Sequence, residues 1–320
     1  MPRSAERLAP SSSPTIEGFG DRLAGRVAQR CSQLVLGLDP DPARLWPRAL
    51  ELAGGAGAPA DARAALAVAS HCALAIEAVG EYCVAVKLQL ACFERLGAPG
   101  WAALRAVTQG AQERGLLVIA DGKRGDIDIS AAAYGQAFFG ETPTPFGSVP
   151  GLGADALTVS PLLGIDSLLP IVAAARERSG GLFVLVRTSN SGASDVQEQR
   201  LERGGSVSDR LAEMVAELGA PGVGRLGLAD VGAVTGATAP QRLATLRESM
   251  PHSVFLLPGV GAQGGRVEDL APAFAPGPAG GLIASSRGIV YAHEHGRGGP
   301  AACAAREAAR LRELAWGLST

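Results

Sequence analysis

The run Asp121-Gly122-Lys123-Arg124-Gly125-Asp126 sets two carboxylates and a lysine ammonium within six residues, directly after the apolar stretch Leu116 to Ala120. Alternate side chains of a strand share a face, so Asp121 and Lys123 point the same way, and Gly125 lets the chain turn before Asp126. Negative neighbours favour the protonated form of a lysine. Such an ammonium can stabilise a developing carbanion electrostatically and then hand it a proton. An isolated Asp-x-Lys-x-x-Asp also reads as a solvated loop, so the elements that carry it must decide.

Those elements repeat. Short β-branched or leucine-rich runs occur at 34–38, 83–88, 117–120, 156–159, 182–186, 231–234, 254–257 and 281–284. Between them lie alanine-, leucine- and arginine-rich stretches of helical character at 62–79, 101–112, 167–178, 207–218, 239–249 and 267–274. Strands alternating with helices imply βαβ units and a parallel sheet, and eight units over residues 34–290 fit an α/β fold of the closed (β/α)₈ TIM-barrel type. Barrels of about 250 residues are ordinary single domains, so the 320-residue chain is read as a flexible tail, 1–14, followed by one catalytic domain, 15–320. Residues 142–153, dense in proline and glycine, read as a long surface loop, 54–60 as a flexible loop, and 297–320 as a final amphipathic helix on the outside.

In this architecture the C-terminal ends of the strands carry the site. The first run ends in Asp39-Pro40, the second contains Lys87, the third delivers Asp121, Lys123 and Asp126, and the fifth runs into Arg187-Thr188-Ser189-Asn190. Singly, most of these pass as turn or cap residues. Lys87 does not, because it interrupts an apolar run and a buried lysine is rare unless paired; Asp39, Asp121 and Asp126 are its candidate partners. Farther on, Pro258-Gly259-Val260-Gly261-Ala262-Gln263-Gly264-Gly265 and Ser285-Ser286-Arg287-Gly288 follow the last two strands, where barrels often build a phosphate site from glycine amides and a forked arginine. The same glycines satisfy Gly-x-Gly-x-x-Gly, but no acidic residue stands about 20 positions on, as a dinucleotide fold needs.

The formal net charge of −2, with lysine and arginine scattered, gives no electrostatic footprint for nucleic acid or an acidic membrane. A small-molecule partner is expected. The odd set Cys31, Cys72, Cys83, Cys92 and Cys303 lacks any Cys-x-x-Cys and points to a reducing cytoplasm. The first 14 residues have no apolar core of signal-peptide type, and no uninterrupted apolar run is long enough for a membrane span. His71 and His252 stand alone, and His293-Glu294-His295 reads as exposed.

Gly37-Leu38-Asp39-Pro40, Val86-Lys87, Ala120 to Ile127, Thr188-Ser189-Asn190, the 258–265 loop and Ser285 to Ile289 occur in an order that resembles the orotidine 5′-phosphate decarboxylase family, in its longer bacterial class. The resemblance implies conversion of orotidine 5′-monophosphate to uridine 5′-monophosphate and carbon dioxide without metal or cofactor. It implies that Asp39 and Lys87 hold the ribose hydroxyls and begin an alternating charge network. Asp121 then stands beside the substrate carboxylate, and Lys123 stabilises and protonates C6. Asp126 is the member contributed to a partner subunit's site in a homodimer. Ser189 reads the pyrimidine amide, Gln263 and Arg287 grip the phosphate, and the 258–265 loop closes as a lid. Gly122 stands where the family usually has alanine, and Ser130 where it usually has threonine, with the hydroxyl retained. The alternatives are a metal-dependent sugar-phosphate decarboxylase or aldolase of the same suprafamily, and a catalytically silent nucleotide-binding barrel.

Overall fold

The computed structural model describes residues 17–54 and 57–320; the expected tail, 1–14, and Gly55 and Ala56 of the 54–60 loop lie outside the described residues. Each of the eight apolar runs forms a strand: β1 (Leu34–Leu38), β2 (Ala85–Gln89), β3 (Leu117–Arg124), β6 (Ala156–Val159), β7 (Gly181–Arg187), β8 (Val231–Thr235), β9 (Phe255–Pro258) and β10 (Gly281–Ser285). All pair in parallel and close in the order β1-β10-β9-β8-β7-β6-β3-β2, the topology of a (β/α)₈ barrel.

Strand periodicity divides the core into two layers. Val118 and Ala120 of β3 face outward into the layer shared with the helices, whereas Leu117 and Ile119 face the barrel interior with Val35, Ala85, Ala156, Phe183, Leu256 and Leu282. The floor of this interior is a helix that the sequence reading did not anticipate, α1 (Phe19–Arg30), whose Phe19, Leu23 and Val27 plug the barrel from below. Phe19 meets Phe183 edge-to-face at 6.0 Å, and Gly181 keeps the way clear, since a Cβ there would lie 2.4 Å from the Phe19 ring.

Helices cover the outside. Ala60–Tyr82 has the length and hydropathy of a membrane span, yet Ala65, Val68, Cys72, Ala75, Ile76 and Val79 form one buried stripe against the barrel. The last helix, Pro300–Ser319, packs on the outside as expected. Residues 267–274 form a 3₁₀ helix, where Pro272 lacks the N–H that an α-helix would use.

The 142–153 segment lies on the surface as read, but it is a hairpin rather than a loop. Glu141–Thr144 (β4) and Gly147–Pro150 (β5) pair as an antiparallel hairpin, and Gly147, at φ 116°, makes its turn. Proline had argued against strands here, but a two-stranded ribbon is all edge and tolerates it. A second correction concerns His293, which is half-buried beside Tyr291 rather than exposed, while Glu294 pairs with Arg44 at 2.5 Å.

Candidate active site

β3 runs four residues beyond its last apolar position, Ala120, to Arg124, so Asp121 and Lys123 continue the inward series of Leu117 and Ile119. Neighbouring strands do the same. In the parallel register Gln89 lies opposite Asp121 and Lys87 opposite Ile119, so the longer lysine stem starts one layer lower and reaches up to the same carboxylate. Asp39, just past the end of β1, follows Val35 and Gly37, and Thr158 follows Ala156 on β6. Gly37 has to be bare, because a Cβ there would sit 2.7 Å from Cβ of Ser286 across the β1–β10 closure.

These residues form an alternating line of charge. Lys87 Nζ stands 3.9 Å from Oδ1 of Asp39 and is ion-paired with Oδ2 of Asp121; Lys123 Nζ donates to Oδ1 of Asp121 at 2.6 Å. Of the three acids open to Lys87 on sequence grounds, Asp121 makes the close pair and Asp39 the longer one. Two further donors complete the carboxylate: Thr158 Oγ1 at 2.9 Å on Oδ1 and Gln89 Nε2 at 3.3 Å on Oδ2. Sequence reading missed both, although the signal was present, since each lies two residues beyond an inward-facing position on its strand.

Burial alone would raise the Asp121 pKa, but Lys87 and Lys123 outweigh it and hold the carboxyl well below the usual carboxylate range. For Lys87 burial pulls downward, and Asp121 and Asp39 reverse it, leaving the ammonium above its ordinary value. Two fixed cations thus converge on one dry anion. Lys87 and Asp121 are buried, whereas the Lys123 side chain is 45% exposed and free to meet a ligand.

Above the line opens a cavity of about 370 Å³, lined by Asp39, Lys87, Gln89, Asp121, Lys123 and Thr158 on one side. Ser189, Gln263 and Arg287 line the other side, with Leu185, Val234, Leu256 and Ala284 as an apolar floor. That volume is of ligand size. The 258–265 loop closes on itself, with Gly265 N–H donating to Gly259 O at 3.0 Å and Gly261 N–H to Gly265 O at 2.9 Å. Gly259, Gly261 and Gly264 take φ values of 101°, 77° and 89°, which glycine adopts without strain.

Asp126 and Ser130 do not join the others. The Asp126 carboxylate accepts the Ile127 N–H at 2.8 Å, and Ser130 is exposed in the first turn of the helix Asp128–Phe138. Gly122, the other departure noted in the sequence, has its missing methyl replaced by Leu90: a Cβ would lie 2.6 Å from Leu90 Cδ1.

Residues 32–298 match the model of the family described as Orotidine 5′-phosphate decarboxylase / HUMPS. The chain is similar to the orotidine 5′-phosphate decarboxylase of Deinococcus radiodurans, at 42% identity over 91% of this chain and 94% of the relative. It is also similar to that of Rhodopirellula baltica, at 40% identity over 86% of this chain and 89% of the relative. Among solved structures, the OMP decarboxylase of Leishmania donovani superposes with a TM-score of 0.71 at 32% identity, covering 94% of this chain and 98% of that one. Matched over most of its length in sequence and in structure, the chain belongs to the orotidine 5′-phosphate decarboxylase / HUMPS family.

Proposed function

We propose that this enzyme decarboxylates orotidine 5′-monophosphate to uridine 5′-monophosphate, with Lys123 as the group that stabilises and protonates C6. One observation carries the proposal: Lys123 donates to a buried aspartate whose two oxygens are also held by three other donors, at the wall of a ligand-sized cavity. A substrate carboxylate placed beside Asp121 meets a fixed negative charge. Breaking the C6–carboxylate bond leaves its electron pair on C6 and releases carbon dioxide, so the negative charge moves from the carboxylate to C6. The Lys123 ammonium then transfers a proton to C6, giving the product, and solvent reprotonates the amine. The gain is confined to the transition state, where it accelerates reaction rather than merely tightening binding.

In this reading Asp39 and Lys87 take the ribose hydroxyls, Ser189 the pyrimidine amide, and Gln263 with Arg287 the phosphate. The position of all five on the cavity wall supports it. The saturation of Asp121 favours it over the metal-dependent sugar-phosphate alternative, since a carboxylate engaged by two ammonium groups is a poor cation ligand. We take residues 15–320 as one catalytic domain acting in the cytoplasm. The enzyme works as a homodimer in which Asp126 completes the partner's site and Ser130 contacts the shared substrate. The exposure of Ile127 (50%), Ile129 (87%) and Leu162 (82%) around Asp126 supports such an interface.

The test is the ultraviolet absorbance change of orotidine 5′-monophosphate on adding the enzyme with chelator present, beside Lys123→Ala. Conversion by the wild type and a loss of about 10⁴-fold or more in the variant are expected. An idle wild type, or an undiminished variant, overturns the assignment or the role of Lys123 respectively.

A further inference from the structure

The ladder between β3 and β6 breaks at the reacting residues. Register pairs run from Ile119 with Ala156 to Ala120 with Leu157, then shift and resume only at Arg124 with Val159. Asp121, Gly122 and Lys123 thus bulge away from β6, an irregularity that re-aims side chains and leaves backbone groups without ladder partners. Within the bulge Lys123 has φ 49°, a left-handed conformation disfavoured for any residue with a Cβ.

Thr158 fills the gap. Its Oγ1 accepts the Lys123 backbone N–H at 3.0 Å and donates its own hydrogen to Asp121 Oδ1 at 2.9 Å. A single buried hydroxyl therefore holds the proposed proton donor by its main chain and that donor's carboxylate partner by its side chain. The same oxygen of Asp121 receives Lys123 Nζ at 2.6 Å, which closes a ring of contacts through Thr158, Lys123 and Asp121. Threonine suits a strand for its branched side chain alone, and valine would serve that purpose equally well. Only the hydroxyl explains both hydrogen bonds.

We propose that Thr158 is a positioning residue, whose hydroxyl fixes Lys123 in its strained conformation and sets the Asp121–Lys123 geometry for decarboxylation. This rests on the reading of Lys123 as proton donor. The Thr158 hydroxyl is spent on the Lys123 N–H and on Asp121, so its loss misplaces the ammonium rather than removing a hydrogen bond to substrate, and kcat falls while KM holds.

The experiment compares Thr158→Val, Thr158→Ser and Lys123→Ala with the wild type, measuring kcat and KM with orotidine 5′-monophosphate and the affinity for uridine 5′-monophosphate. Thr158→Val is expected to lower kcat about 10- to 100-fold, the worth of a hydrogen bond to a charged group, with KM and product affinity within about threefold. Thr158→Ser, which keeps the hydroxyl, stays within about threefold of wild type in all three. Thr158→Ala gives the same contrast if the valine variant does not fold. A wild-type kcat in Thr158→Val, a serine variant as impaired as the valine one, or a loss carried by KM or product affinity overturns the positioning role. If Lys123→Ala is inactive while Thr158→Val keeps the wild-type kcat, only this inference falls; if Lys123→Ala is active, the proton-donor reading falls first.

Discussion

The two ends of the barrel both carry buried charge, and they use it in opposite ways. At the N-terminal end two carboxylates tie down backbone and a third holds an arginine. Asp21 of α1 accepts the N–H groups of Arg225 and Leu226 at 3.0 and 2.7 Å. Asp155 accepts the Val118 N–H at 2.9 Å while pairing with Arg22, and Asp230 takes Arg176 in a fork at 2.6 and 3.0 Å. At the C-terminal end Asp121 binds no backbone at all; its partners are the side chains of Lys87, Gln89, Lys123 and Thr158, on three strands. Charge below fastens the fold, and charge above is left facing a cavity. Catalysis and stability should therefore separate along the barrel axis.

The widest separation concerns Asp126, which lies apart from the other candidate residues. If it completes a partner's site, Lys123→Ala and Asp126→Asn, each nearly inactive alone, regain about a quarter of wild-type turnover when mixed and allowed to exchange subunits, because half the dimers carry one intact site. A mixture no more active than its components confines each site to one chain. At the opposite end, Asp21→Ala removes the acceptor of the Arg225 and Leu226 N–H groups in an exposed loop, which water can partly replace. It should cost about 2 kcal/mol in denaturant unfolding with kcat unchanged. A fall in kcat with unaltered stability would erase the distinction between the two ends.

The smallest effect appears in acid. Asp121, its folded pKa depressed, contributes stability that is present above the ordinary carboxylate value and lost only as pH falls through the lowered one. His71 titrates earlier. Burial, and secondarily His293, lowers its pKa from 6.5 to about 4, so the folded state binds fewer protons than the unfolded between those values and stability falls as pH drops through them. Its Nδ1 accepts the Trp46 N–H at 3.1 Å. His71→Asn keeps an acceptor there without titrating and should flatten the loss by about 1–2 kcal/mol at pH 5. Identical acid profiles would assign the sensitivity to other groups.

The barrel was legible in the sequence because every strand carried its own apolar run, and the charged line was legible because lysine inside such a run demands a partner. α1 was not, since Gly18, Asp21, Arg22 and Arg26 dilute a stripe that acquires meaning only when Phe19 has a barrel end to fill. The hairpin was hidden by its prolines. Gln89 and Thr158 escaped notice because neutral side chains on strands look like ordinary strand residues until the register shows which carboxylate they face.

The left-handed turn at Lys123 has a thermodynamic consequence for the protein as a whole. A side chain in that conformation costs about 1 kcal/mol that glycine would not incur, on a chain whose total stability is only about 5–15 kcal/mol. Selection for heat resistance alone would favour glycine at this position; with Lys123 as the proton donor proposed above, the strain is resilience given up for reactivity.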